Sequence, residues 1–103
     1  MDLLLAAIAD PQRRTLLGAL TQGPASVGEL AELVTIARPG VSRHLRILRE
    51  AGLVQMRPDA QRRIYELRSE PLTQLDEWLA PYRDLWTQRF DALHTEVARG
   101  KKE

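Results

Sequence analysis

The sequence contains no cysteine and only two histidines, His44 and His94. Without cysteine the chain cannot form disulfide bonds, thiolate metal sites or cysteine nucleophiles. A phosphate-binding glycine loop and the paired histidines of a zinc protease are absent as well. We therefore expect neither an enzyme nor a bound cofactor.

Long hydrophobic runs are also lacking. The first apolar stretch, residues 3–9, follows an acidic residue and ends at Asp10-Pro11, which is unlike a secretory signal peptide. No stretch approaches the roughly 18 to 20 apolar residues that a membrane span needs. We expect a cytoplasmic protein that does not associate with a membrane.

The chain of 103 residues has the size of one domain, since about 100 to 150 residues usually share a single hydrophobic core. Its 44% of apolar and 28% of charged residues are ordinary for a folded protein. We expect residues 1–103 to form a single domain.

The net charge of +1 conceals an uneven distribution. Residues 38–68 contain eight arginines against three carboxylates, whereas residues 69–98 contain six carboxylates against two arginines. A cationic stretch of this kind favours a polyanionic partner such as DNA. The middle of the chain is thus predicted to bind nucleic acid, and its last third is not.

Two helices are predicted in the first third of the chain. Asp10-Pro11 is a typical helix start, because Asp can cap free amide groups and Pro is tolerated in the first turn. This helix is expected to end near Thr21, before Gly23-Pro24. Ser26 and Glu29 form a capping box that begins a short second helix. The predicted buried side of that helix consists of Leu30, Leu33 and Val34.

A third helix is predicted to end at Ala51-Gly52, and Val41, Leu45 and Leu48 give it one apolar face. Its outward residues are Arg38, Ser42, Arg43, Arg46 and Arg49. Two short helices joined by a tight turn, with the second one basic outside and apolar inside, indicate a helix-turn-helix over about residues 26–51.

A basic β-hairpin is predicted to follow over about residues 53–68. Its strands are expected at 53–57 and 63–67, around a turn of roughly four to six residues. Arg62 and Arg63 lie near its tip. The predicted fold class is therefore mainly α with a β-hairpin wing, which is a winged helix-turn-helix.

The last third has the pattern of one long helix, over about residues 71–98. Its apolar residues approximate the heptad seam of a coiled coil. The stripe includes both tryptophans and exceeds what a small winged helix can cover, so it favours a partner helix over packing within its own domain. Pro81 is expected to kink or split this helix near Leu79-Ala80. The seam residues are Leu72, Leu75, Leu79, Tyr82, Trp86, Leu93 and Val97.

A resemblance to a known family lies in residues 9–17 (ADPQRRTLL), 26–31 (SVGELA), 41–54 (VSRHLRILREAGLV) and 62–67 (RRIYEL). These segments resemble the arsenical-resistance repressor (ArsR) family of winged-helix regulators, in particular its small members without metal-binding cysteines. The resemblance implies a homodimeric, cytoplasmic transcriptional repressor with N- and C-terminal dimerisation helices. The dimer residues that follow from it are Leu3, Leu4, Leu75, Leu79, Tyr82, Trp86 and Leu93.

The sequence departs from this family where metals bind. Residues 30–33, which correspond to the metal-binding cysteine pair of other members, contain no soft ligand. Near the C-terminus, only His94 with Asp91 or Glu96 offers ligands for a site between paired helices. A lone surface histidine is more often not a ligand, so we predict no metal site.

The predicted DNA contacts divide into base and backbone contacts. Arg38 and Arg43 are predicted to reach base edges, because arginine can bind guanine through two hydrogen bonds. For His44 a packed, hydrogen-bonding position is the alternative to a DNA contact. Ala37 stands where the family usually has a capping serine, which leaves the helix amides to Thr35 or to a DNA phosphate. The predicted phosphate contacts are Ser42, His44, Arg46, Arg62 and Arg63.

A symmetric dimer requires an inverted-repeat operator with half-site centres about one helical turn apart, or a multiple of that distance. Two alternatives remain open. One is a winged helix that binds proteins and not DNA. The other is a repressor that responds to a metal or a small ligand, for which the sequence offers no evident pocket.

Overall fold

The computed structural model describes the backbone of residues 1–102 and the side chains of residues 1–94. The chain divides into two compact units, Met1–Thr73 and Gln74–Glu103. Among the described residues, no helix combines the length and the hydropathy that crossing a bilayer requires. In chain order the elements are α1 (Asp2–Ile8), α2 (Pro11–Leu20), β1 (Ala25–Ser26), α3 (Val27–Ala31), α4 (Arg38–Glu50), β2 (Val54–Asp59), β3 (Arg62–Leu67) and α5 (Glu70–Lys102).

This order of elements confirms the predicted class, a mainly helical fold with a β-hairpin wing. The predicted start of α2 is confirmed as well, since one carboxylate oxygen of Asp10 accepts hydrogen bonds from the amides of Gln12 and Arg13, at 2.8 and 3.2 Å. Pro11 is the first helical residue, where its missing N–H has no helical partner to lose.

The short helix α3 begins as predicted and ends before Leu33 and Val34, which were expected on its buried side. The Ser26 hydroxyl accepts from the amide of Glu29, and the Glu29 carboxylate accepts from the amide of Ser26, which is a complete capping box. The helix stops at Ala31. Leu30 is buried, but Leu33 lies beyond the last turn and is 54% exposed, so its predicted burial is wrong.

The predicted third helix is confirmed as α4. Val41, Leu45 and Leu48 are fully buried, and they form a single apolar stripe on the inner side of the helix. The helix ends at Glu50, and Gly52 then takes a φ of +77°, which a residue with a side chain rarely adopts. Leu53 is buried directly after this turn and leads the chain into the wing.

The wing belongs to a three-stranded antiparallel sheet with the strand order β1-β3-β2. The pairing of Asp59 with Arg62 leaves a turn of only two residues, 60 and 61, so the predicted turn of four to six residues is wrong. Pro58 misled the prediction because proline usually ends a strand. Here Pro58 lies in an edge strand, paired with Arg63, and an edge strand tolerates its missing N–H.

The core of the first unit lies where α1, α2, α3 and α4 meet the base of the sheet. Leucine is the most frequent residue in this core, and its branched side chain packs closely between crossing helices. The buried apolar residues are Leu4, Ala7, Leu16, Leu20, Leu30, Val41, Leu45, Leu48, Leu53, Val54, Ile64 and Tyr65.

Helix α5 is continuous through Pro81, so the predicted split of this helix is wrong. Proline removes one backbone hydrogen bond, and the bonds of the turns on either side suffice to carry the helix past it. Helix α5 carries two pairs of aromatic rings, and the two rings of each pair are one helical turn apart. The ring centroids of Trp78 and Tyr82 are 4.8 Å apart, and those of Trp86 and Phe90 are 5.2 Å apart.

Candidate nucleic-acid interface

The outer face of α4 carries most of the predicted DNA contacts. Because Val41, Leu45 and Leu48 face the core, the residues on the opposite side of the helix point away from it. The exposed side chains of this face are Arg38, Ser42, Arg43, Arg46 and Arg49. The helix therefore presents a row of guanidinium groups to the solvent.

The wing forms a first cavity with the start of α4. The cavity has a volume of about 300 Å³, and Arg38 and Ser42 line it together with Arg62 and Arg63 of β3. Four of the predicted contacts, from two separate segments, thus share one concave surface. The other lining residues are Ser26, Val27, Gly28, Gln61 and Tyr65.

A second cavity, of about 360 Å³, lies along the same helix face. Arg43, Arg46 and Arg49 line it. Ser42 and Arg63 line both cavities, so the two are neighbours on one continuous surface. We call this surface, which comprises both cavities, the basic face.

Arginines of the basic face differ in whether they are paired. Arg62 is 3.4 Å from the carboxylate of Asp59, whereas no carboxylate among the described side chains lies within 4 Å of Arg43, Arg46 or Arg63. These guanidinium groups are free to meet an external anion without first breaking an ion pair. That property distinguishes a binding surface from a solvated face laced with salt bridges.

One carboxylate, Glu29, lies near the first cavity. The backbone and side-chain hydrogen bonds of Ser26 lower the pKa of Glu29, partial burial opposes them, and the charge of Arg62 adds to the lowering. Glu29 therefore stays ionised at neutral pH and remains bound within its capping box. The positive potential of Arg62 is correspondingly reduced by two acids, Asp59 and Glu29.

Sequence reasoning did not select several residues of the basic face, among them Arg49, Tyr65 and Gly28. Arg49 was recognised as an outward residue, one turn after Arg46, but not as a DNA contact. Tyr65 gave no signal, because alternation in a short strand predicts only that a residue is buried. Gly28 gave none either, although a Cβ there would lie 2.9 Å from Nη2 of Arg38, so the glycine leaves room for that guanidinium.

His44 lies apart from the other predicted contacts. Its side chain is 7% exposed, and its Nδ1 is 3.1 Å from Nη1 of Arg13 on α2. It occupies the inner flank of α4, between the exposed Arg43 and the buried Leu45. The structure thus places His44 in the packed, hydrogen-bonding position that the sequence left as an alternative.

The first turn of α4 has no side-chain cap. Ala37 is the N-cap residue and makes no capping hydrogen bond, and Thr35 does not take over that function. The amides of Gly40 and Val41 donate to the carbonyl of Ala37, at 2.9 and 3.2 Å. The start of the helix is thus closed by backbone bonds alone.

The residues predicted for the dimer contact are found in several environments. In α1, Leu3 is 69% exposed, whereas Leu4 is 3% exposed and packs in the core of its own unit. In α5, Leu75 and Leu79 are half-buried. Among the described side chains of α5, the large apolar residues that are exposed are Trp78, Tyr82, Leu85, Trp86, Phe90 and Leu93. Val97, the last residue of the predicted seam, lies outside the described side chains.

The residues considered for a metal site are only partly described. His94 is exposed, and Asp91 lies one turn before it on α5. Glu96, the alternative neighbour, lies outside the described side chains. Among the side chains that the structure describes, no three His, Asp or Glu residues lie close enough to hold a metal ion together.

Comparisons with known proteins agree on one family. The family model described as "Bacterial regulatory protein, arsR family" matches residues 10–56. An HTH-type transcriptional regulator of Mycobacterium tuberculosis is 48% identical over 61 residues, which cover 59% of this chain and 57% of that protein. This chain therefore spans little more than half the length of that relative.

Two further matches extend over more of the matched protein. The transcriptional repressor SdpR of Bacillus subtilis is 33% identical over 79 residues, which cover 77% of this chain and 88% of the repressor. Among solved structures, an ArsR family transcriptional regulator superposes with a TM-score of 0.75 at 35% identity, over 84% of this chain and 94% of that one.

Proposed function

Because this chain belongs to the ArsR family of bacterial regulatory proteins, we propose that it is a transcriptional repressor that binds an inverted-repeat operator as a homodimer. The basic face is the observation that carries this proposal. It combines exposed arginines without ion pairs on α4 with Arg63 of the wing. Anions along a DNA backbone match such a row of cations better than a small ligand does.

We propose that different residues of the basic face contact the bases and the phosphates of DNA. In a helix-turn-helix the second helix enters the major groove, and α4 has the exposed side chains for this role. Arg43 and Arg38 are proposed to reach base edges. Ser42 and Arg46 are proposed to contact phosphates from the same helix, and Arg62 and Arg63 from the wing.

The exposed apolar residues of α5 support the dimer. A water-exposed row of aromatic side chains is costly, and a second copy of the same helix would cover it symmetrically. Two joined copies present two α4 helices, which is why the proposed operator is an inverted repeat.

The proposal is tested by duplex binding of the wild-type protein. Selection from a random duplex library identifies the operator, and fluorescence anisotropy then gives the affinity across a series of salt concentrations. About six phosphate contacts per dimer predict a slope of log affinity against log salt of about −5. A slope near zero on every duplex would overturn the proposal and leave a winged helix that binds proteins.

Arg43 offers a test of the residue assignment. Arg43→Ala is expected to lose about 1–3 kcal/mol of discrimination per half-site. Arg43→Lys is the matched control, because it keeps the charge and loses the two-pronged geometry. The lysine variant should keep non-specific affinity and lose discrimination. If it retains discrimination, Arg43 contacts a phosphate and not a base.

A further inference from the structure

Arg13 of α2 links α1 and α4, which are not consecutive in the chain. Its Nε donates to the carbonyl of Ala7 at 2.6 Å, and its Nη2 donates to the carbonyl of Ala6 at 3.0 Å. Its Nη1 lies 3.1 Å from Nδ1 of His44 on α4. One guanidinium therefore binds the last turn of α1 on one side and the recognition helix on the other.

The chemistry of this contact determines the state of His44. A guanidinium has donors only, so Nδ1 of His44 must accept, and the ring proton must lie on Nε2. The imidazole is therefore neutral in this arrangement. A protonated imidazole would carry a hydrogen on Nδ1, would lose the hydrogen bond, and would bring two cations into contact.

The position of His44 makes this bond relevant to α4. The residue before it, Arg43, belongs to the basic face, and the residue after it, Leu45, is fully buried. The buried stripe of α4 fixes which side of the helix faces the core, and the directional bond at His44 adds a restraint on its rotation about the axis. The rotation decides where the guanidinium groups of the basic face point.

We propose that Arg13 and neutral His44 are positioning residues that orient the recognition helix for operator binding. This inference rests on the proposed function. Neither residue needs to touch DNA, because the pair acts through the arginines of the basic face. It follows that specific binding weakens when His44 is protonated.

The charged groups around His44 act in opposite directions. Arg13 is in direct contact with the ring, and Asp10 interacts with it electrostatically. Asp10 favours the protonated ring, but its carboxylate already accepts two backbone amides. On α1 the groups that face the pair are backbone carbonyls, which Arg13 binds. No carboxylate among the described side chains lies within 4 Å of His44.

The direction in which acidification changes DNA affinity distinguishes this inference from a general electrostatic effect. Protonating any histidine adds positive charge, which on its own strengthens attachment to DNA. The inference predicts the reverse for the selected operator. Affinity for the operator is expected to fall between pH 7.5 and 5.5, because the hydrogen bond from Arg13 to Nδ1 is lost when the ring is protonated. Affinity for a random duplex does not fall.

The first test compares operator binding between pH 7.5 and 5.5 for three proteins. His44→Asn places an amide oxygen near the position of Nδ1, so it accepts from Arg13 without titrating. We expect it to bind within about threefold of wild type at pH 7.5, the scale of less than one hydrogen bond, and to lose the acid sensitivity. His94→Asn is the matched control, because His94 is exposed, and it should keep the acid sensitivity of the wild type.

The second test separates the link to α4 from the anchoring of α1. Arg14 also binds the end of α1, through the carbonyls of Ile8 and Ala9, but it does not reach α4. Arg13→Leu is expected to lower operator affinity about tenfold, as the loss of one hydrogen bond from a charged donor does. Arg14→Leu removes a comparable anchor and should leave operator affinity within about threefold. Circular dichroism verifies that both variants fold.

A third measurement needs no DNA. Long-range ¹H–¹⁵N spectra of the imidazoles should show His44 as the Nε2–H tautomer at pH 7.5, and this pattern should change in Arg13→Leu but not in Arg14→Leu. A wild type that binds no duplex overturns the proposed function and this inference together. If the wild type binds its operator and His44→Asn keeps the full acid sensitivity, only the inference is overturned. The same holds if Arg13→Leu binds like Arg14→Leu.

Discussion

The two units of the chain place their apolar side chains in opposite environments. In Met1–Thr73, leucines such as Leu16 and Leu45 are fully buried. In Gln74–Glu103, Trp86 is 62% exposed, and Phe90 and Leu93 are exposed as well. The first unit has a core of its own, whereas the described side chains of the second, residues 74–94, present apolar area without a core. The difference suggests that α5 obtains its stability from another molecule, which the proposed dimer supplies.

The largest effect is expected from a charge placed on the exposed apolar face of the second unit. Trp86→Asp should give monomers, because a charge replaces an aromatic side chain of the proposed interface. The loss is about 3–5 kcal/mol per buried aromatic side chain, and a symmetric dimer contains it twice. Sedimentation velocity measures the result. Trp86→Phe, the control, should remain dimeric, and an unchanged dimer in Trp86→Asp would move the interface away from this face.

A core substitution in the first unit should act on folding and not on association. Leu16→Ala removes a fully buried side chain and is expected to lower the free energy of unfolding by about 2–5 kcal/mol. Chemical denaturation of the wild type and the variant measures the difference. Leu93→Ala, in the second unit, should change association more than folding. The comparison fails if the two variants show the same pattern.

The helix caps of the first unit predict an acid sensitivity. Partial burial acts to raise the pKa of Asp10, but hydrogen bonds from the amides of Arg13 and Gln12, with the charge of Arg13, hold it below the ordinary 3.8. A carboxylate with a lowered pKa contributes stability above its unfolded pKa and loses it as the pH falls toward the folded value. The melting temperature should therefore fall as the pH is lowered below about 4. Asp10→Asn keeps a capping oxygen and should flatten this drop, whereas Glu77→Gln, on α5, should leave it unchanged.

The smallest expected effect lies in the wing. Ala60 has a φ of +56°, a conformation that suits glycine. Ala60→Gly should stabilise the first unit by about 0.5–1 kcal/mol, since it relieves backbone strain in the two-residue turn. Thermal unfolding measures the gain. Gly23, with a φ of +137°, is the opposite case, and Gly23→Ala should lower the melting temperature.

Local chemistry explains which parts of the fold were predictable. The cap at Asp10 and the capping box of Ser26 and Glu29 involve residues two or three positions apart, so the sequence shows both partners side by side. The inward stripe of α4 is predictable for the same reason, because helical periodicity is local. The exposed arginines of α4 follow from that stripe.

Features that depend on distant parts of the chain were not predictable. Arg13 and His44 are separated by 31 positions, and no pattern in either segment relates them. The tight turn after Pro58 depends on the strand lying at the edge of the sheet. The exposure of Leu33 depends on where α3 stops, and helix ends are the least predictable feature of a short helix. Pro81 was expected to kink or split α5, and the helix is not split, because the hydrogen bonds of the flanking turns, which a sequence does not show, hold it together.

Ser26 takes part in two structures at once. It pairs with Ile64 of β3, and its hydroxyl caps α3. Because one residue makes both contacts, we expect the wing and the first turn of α3 to open together in one sub-global event. Native-state amide hydrogen exchange should then give one opening free energy for Ile64, Tyr65 and the first turn of α3, and Ser26→Ala should lower all of these protections together.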